Sequence, residues 1–166
     1  GADRAAAATR NGRVGVIAAE STGSSGAYAG ALRRLVPELG IWSQACPLLV
    51  PLIEEGWLDD PVTAEVAWRY LEPLLAHDID TLVLGCTHYP FVQDYLHDLV
   101  GQTIQFISTG EPVARQTRRL LQAANEGPRE NQLGQITMGT TGQAAHLKAA
   151  AEQWLHWQGN VESLLI

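Results

Sequence analysis

The run Thr81-Leu82-Val83-Leu84 constrains this chain more than any other stretch, because it is short, almost wholly apolar, rich in branched residues and free of polar alternation. A pattern of that kind suits a strand covered on both faces, the habit of parallel strands in α/β folds. It runs directly into Gly85-Cys86-Thr87-His88-Tyr89-Pro90. Gly85 lets the backbone turn sharply or approach a ligand, and Pro90 fits the first turn of a following helix. Ligands bind at the carboxyl ends of strands in open α/β sheets, so a thiol, a hydroxyl and an imidazole stand where chemistry is expected.

The rest of the chain repeats the strand-helix alternation. A strand is expected over residues 13 to 19, carried by Val14, Val16 and Ile17, then a polar loop at 20 to 26 and a helix from 27 to 35 ended by Pro37. A strand at 41 to 46 stops at Pro47, and a short helix over 48 to 55 stops at Gly56. Asp59-Asp60-Pro61 is a helix start, with Asp as N-cap and Pro in the first turn. Val62, Val66, Tyr70, Leu71, Leu74 and Leu75 then recur at helical spacing up to His77. After the strand at 81 to 85 come a helix from 90 to 100, a strand at 103 to 107 and a helix from 111 to 124 opened by Ser108-Thr109-Gly110-Glu111. A polar link at 125 to 134 leads to a strand at 135 to 138, a turn at 139 to 142 and a helix to 157. Residues 1 to 12 read as an Ala-rich linker, or a helix end followed by a turn. The expected class is α/β, a mostly parallel sheet flanked by helices, as one complete domain over 13 to 107 plus elements at 108 to 166 that look like part of a second.

The net charge of −7 and pI near 5.1 argue against a nucleic-acid or anionic-membrane surface, since no basic cluster interrupts the acidic balance. No apolar run is long enough to span a bilayer, and no signal peptide is visible. Two cysteines without CxxC spacing suggest a reducing, cytoplasmic setting. The tryptophans are not interleaved with basic residues and read as packing groups, and the histidines and carboxylates show no metal-ligand spacing.

Cys46, between Ala45 and Pro47 at the end of an apolar run, reads as an inert buried thiol. Cys86 stands between reactive and structural on its residues alone. A thiolate is the species that attacks or takes a proton, and the imidazole of His88 two residues on would favour it. Glu54 and Glu55 could be the solvated end of a short helix, or one could orient His88. The Ser/Thr/Gly loop over 21 to 26 could bind an anion, but it has neither a P-loop nor a GxGxxG pattern.

Three blocks, Leu84-Gly85-Cys86-Thr87-His88-Tyr89-Pro90, residues 45 to 54 and Thr22 to Tyr28, resemble glutamate racemase in order and spacing. The opening residues 8 to 17 look like that family's crossing between domains, which makes 1 to 12 an interdomain segment. The resemblance implies an aspartate/glutamate racemase-like fold and cofactor-independent interconversion of L- and D-glutamate for peptidoglycan synthesis. Two cysteines would work from opposite faces of the substrate. Cys86 matches the one expected to deprotonate L-glutamate, His88 the histidine assisting it and Glu54 the carboxylate tuning that histidine. Thr87 and Thr22 match substrate-binding positions. The chain departs from the family pattern in lacking the first half with its second cysteine, in having Ala19 where a threonine is common, and in having Ser108 where an aspartate is common. It is thus expected to carry one catalytic face and to associate with a separately supplied first half, or with itself. Two other readings stand beside it: a non-catalytic binding domain of the same fold, and a hydrolase or transferase using Cys86 as nucleophile.

Overall fold

The structure, a computed structural model, describes residues 1–20, 22, 26–127 and 134–165. They fall into two compact units, Gly1–Leu120 and Leu121–Ile166. In the first, α1 (Ala2–Ala8) precedes β1 (Arg13–Ala18), α2 (Ala27–Leu35), β2 (Gly40–Ala45), α3 (Leu49–Glu54), α4 (Pro61–Leu75) and β3 (Thr81–Leu84). A 3-10 turn, Tyr89–Val92, then leads into α5 (Gln93–Val100), followed by β4 (Gln105–Ser108) and α6 (Gly110–Ala123), whose last three residues belong to the second unit.

All pairings in the main sheet are parallel, in the order β2-β1-β3-β4. The chain passes from β1 outward to β2 and then back across β1 to β3, so strand order reverses between β1 and β3. Crevices at such switch points, outside the carboxyl ends of the strands, are where open α/β sheets bind ligands.

Burial on both faces explains the unbroken apolar strands. Side chains alternate across a strand, so Leu82 and Leu84 face one layer and Val83 the other. The first layer gathers Ile17, Leu82 and Leu84 with Leu49, Ile53, Leu71, Leu74, Val92 and Leu96 from α3, α4, the 3-10 turn before α5 and α5 itself. The second gathers Val14, Val16, Val83 and Ile107 with Ala5 and Leu32 from α1 and α2. The Ala-rich start forms a helix over Ala2–Ala8, the second of the two readings of this segment, in keeping with alanine's helix propensity and the packing of Ala5 against the sheet.

Helix α4 begins as its sequence predicts: Asp60 Oδ1 accepts the amide of Val62 at 2.8 Å, with Pro61 in the first turn. Its buried face is rotated from the expected one. Thr63, Ala67, Leu71 and Leu74 are buried, whereas Val62 is 49% exposed and Val66, Tyr70 and Leu75 flank the core. Small side chains at 63 and 67 let the helix approach closely, and the buried Thr63 hydroxyl donates to the carbonyl of Trp57 at 2.6 Å.

In the second unit, β5 (Met138–Thr140) and β6 (Val161–Ser163) pair in parallel and are joined through α7 (Ala144–Leu155). Strand β5 takes up Gly139 and Thr140, which the sequence reading assigns to a turn, and β6 falls where no element is expected. The polar link at 125 to 134 includes residues 128–133, which lie outside the described residues. No helix among the described residues is long and apolar enough to cross a membrane.

Candidate active site

The loop after β3 is held before it leaves the sheet. Gly85 donates its amide to the carbonyl of Ile17 in β1 at 2.8 Å. Half-buried Cys86 and exposed Thr87 follow, and the 3-10 turn with Pro90 in its first turn carries the chain into α5. Fully buried Tyr89 pins the loop from below, its hydroxyl donating to the carbonyl of Cys46 at 3.2 Å. Burial, helped by the neighbouring Cys46 and Cys86, pushes the Tyr89 phenol well above its ordinary value, so at neutral pH it remains a donor. The same carbonyl accepts the amide of Leu49 at 3.3 Å, which ties the start of α3 to the loop.

That tie brings the far end of α3 within reach. His88 lies between Cys86 and Glu54, with Cys86 Sγ 3.7 Å from Nδ1 and Glu54 Oε1 3.1 Å from Nε2. An ionised carboxylate only accepts, so the network assigns the ring proton to Nε2 and leaves the Nδ1 lone pair facing sulfur. The result is a thiol, an imidazole and a carboxylate in series, the arrangement in which a base is oriented by a third group. The His88 and Glu54 side chains are 33% and 63% exposed, so solvent screens their pairing.

The two cysteines differ sharply. Cys46 is fully buried, its Sγ–H pointing to the carbonyl of Gln44 at 3.6 Å, and burial above all pushes its thiol up to about 12. It stays protonated and sealed from solvent, as its sequence context predicts. Among the described residues no group of three or more His, Cys, Asp or Glu is placed to hold a metal ion.

Thr22 is half-buried on the segment leaving β1, the strand beside β3 at the switch point. Residues 21 and 23–25, on which most of the anion-loop reading falls, lie outside the described residues. Ala19 immediately follows β1. Ser108 ends β4, and its hydroxyl accepts the Gly110 amide at 3.4 Å. Sequence reading singles out Cys86, His88 and Glu54, but not the Tyr89 anchor that brings them together. The only hint of it is a tyrosine directly after His88.

No protein-family model matches the chain. It is 56% identical over 122 residues to a glutamate racemase of Syntrophus aciditrophicus, an alignment covering 74% of this chain and 45% of that relative. A solved glutamate racemase isoform of Bacillus anthracis superposes with a TM-score of 0.90 at 33% identity, covering 99% of this chain and 62% of that one. The glutamate racemase of Francisella tularensis, solved in complex with D-glutamate, superposes with a TM-score of 0.80 at 26% identity, covering 93% of this chain and 57% of that one. The chain spans about half the length of the curated relatives it matches. Over that span its sequence and its mostly parallel, helix-flanked fold match theirs, and the chain belongs to the glutamate racemase family.

Proposed function

We propose that this chain provides one face of a cofactor-independent racemase site acting on glutamate. The observation that carries the reading is the array of Cys86, His88 and Glu54 beyond the carboxyl end of β3, at the point where strand order reverses. In this reading Cys86, as thiolate, takes the α-proton of L-glutamate. His88 accepts or returns the thiol proton through Nδ1, and Glu54 holds the ring so that Nδ1 faces sulfur. The hydroxyls and backbone amides of Thr22 and Thr87 hold the substrate carboxylates, placing donors near the charge that develops as the α-proton leaves. Support for glutamate comes from the D-glutamate complex of the Francisella relative.

Inversion needs a second acid on the opposite face of the α-carbon. Buried Cys46 cannot serve, so in this reading that acid belongs to a polypeptide segment outside these 166 residues. The resemblance points to D-glutamate for peptidoglycan, made in the cytoplasm, as the use of the product.

The test is α-proton exchange in deuterated water, followed by NMR on each enantiomer separately. A one-faced site removes and returns the proton on the same side, so L-glutamate should exchange without inversion while D-glutamate does not exchange. Cys86→Ala should abolish the exchange. Exchange persisting in that variant, or equal exchange of both enantiomers by the unaltered chain, would rule the reading out. An array of thiol, imidazole and carboxylate would also suit acyl transfer, and rapid hydrolysis of activated esters with no glutamate exchange would favour that alternative.

A further inference from the structure

Tyr28 lies in the first turn of α2, after Gly26 with its left-handed φ of 62°, and it meets three other segments of the chain. Its ring reaches Gly85: a Cβ built there would lie 3.0 Å from Tyr28 Cε2. The other edge of the ring faces the start of α1, 3.6 Å from a Cβ built on Gly1, whose nearest neighbour is the Thr109 methyl at 3.0 Å. The Tyr28 hydroxyl is hydrogen-bonded to the Thr109 side chain. Thr109 follows Ser108, the partner of Leu84 across the β3/β4 pairing, so Thr109 and Gly85 leave the same sheet edge side by side. Burial raises the Tyr28 phenol above its ordinary value, which keeps it neutral beside Cys86.

Tyr28 thus meets the loop at Gly85 from the layer of α1 and α2, while Tyr89 holds it from the layer of α3 to α5. We propose that Tyr28 is a positioning residue for Cys86. Anchored on Thr109, its ring fixes the backbone at Gly85 and so the direction in which the Cys86 thiol meets His88. The proposal rests on the reading of Cys86 as the proton-transferring group and adds to it a residue that touches neither substrate nor reacting atom.

The test reads the thiol itself. Alkylation of Cys86 by iodoacetamide is followed by mass spectrometry across pH in the full chain, where buried Cys46 stays silent. Tyr28→Phe keeps the ring but frees it from Thr109, and Thr109→Val removes the same bond from the other side. Both should slow alkylation at neutral pH roughly three- to tenfold, the size expected for one neutral hydrogen bond, and move the pH profile toward that of His88→Asn. Thr109→Ser, which keeps the hydroxyl, should restore the original profile. Because Tyr28 acts through the pairing of Cys86 with His88, Tyr28→Phe combined with His88→Asn should react no more slowly than His88→Asn alone. An unchanged profile in Tyr28→Phe, or effects that multiply in the double variant, would overturn the proposal. No substrate is involved, so failure of glutamate exchange would sink the racemase reading and leave this result to be judged on its own.

Discussion

Gly85→Ala is the sharpest probe of how the loop is built. Gly85 does not have a positive φ, so alanine would be conformationally acceptable, and stiffening the unfolded chain would by itself stabilise by about 0.4–1 kcal/mol. Space opposes the change. The added Cβ would lie 2.8 Å from the carbonyl oxygen of Ile17, 3.0 Å from Tyr28 Cε2 and 3.2 Å from Ala18 Cβ. The nearest of these is backbone, and it is the same oxygen that accepts the Gly85 amide at 2.8 Å. Relieving the contact therefore means loosening a sheet hydrogen bond or displacing Tyr28. Overpacking costs about 1–3 kcal/mol, and with a rigid neighbour the upper part of that range applies, leaving a net loss of about 2 kcal/mol. For a chain of this size that lowers the thermal midpoint by roughly 4–8 °C. The control is Gly30→Ala in the middle of α2, where a Cβ would meet only the Arg34 guanidinium at 3.8 Å, and where alanine should stabilise by roughly 0.5–1 kcal/mol. Thermal unfolding followed by circular dichroism measures both. A midpoint unchanged or raised in Gly85→Ala would refute the close-approach argument.

Three further outcomes follow from the geometry. Glu54→Gln should leave the thermal midpoint almost unaltered because the side chain is 63% exposed, yet slow L-glutamate exchange about fivefold as a charge-assisted bond to His88 becomes a neutral one; an unslowed rate would remove Glu54 from the array. Asp80 accepts from Thr9 Oγ1 at 2.6 Å, the Arg10 and Asn11 amides at 2.7 and 2.8 Å and Thr81 Oγ1 at 3.0 Å. Burial alone would raise its carboxyl, but these bonds outweigh burial and hold it below the ordinary carboxylate range. Its stabilisation is thus complete above about pH 4 and lost as pH falls through the lowered folded value, and Asp80→Asn should cost about 1.5–3 kcal/mol at neutral pH and flatten the acid limb of a stability-pH curve. Thiol titration of the native chain with Ellman's reagent should find Cys86 alone reactive, with Cys46 appearing only in denaturant; prompt reaction of both would contradict the burial of Cys46.

Much of this architecture is legible without coordinates because its signals are local. Doubly buried strands need uninterrupted apolar residues, and β3 has them; helix starts need caps, and Asp60-Pro61 is one. The misread places are those where the signal is weak or non-local. Strand β6 spans only Val161–Ser163 and exists through its partner β5, and the face α4 buries is chosen by the small side chains of Thr63 and Ala67 rather than by its largest apolar ones.

The candidate site divides in the same way. Cys86 and His88 sit two residues apart on one loop, so their proximity is written into the chain, and motif comparison adds Glu54. That Glu54 reaches His88 depends on α3 being tied to the loop through Tyr89 and the Cys46 carbonyl, a contact between residues 43 positions apart. Sequence alone determined which groups could do chemistry, because reactivity begins with residue type and local spacing. The burial of Cys46 is legible in its sequence context, but only the tertiary structure decided that Tyr28 and Tyr89 meet the loop after β3 from opposite faces of the sheet. Convergence is a property of packed layers rather than of any segment within them.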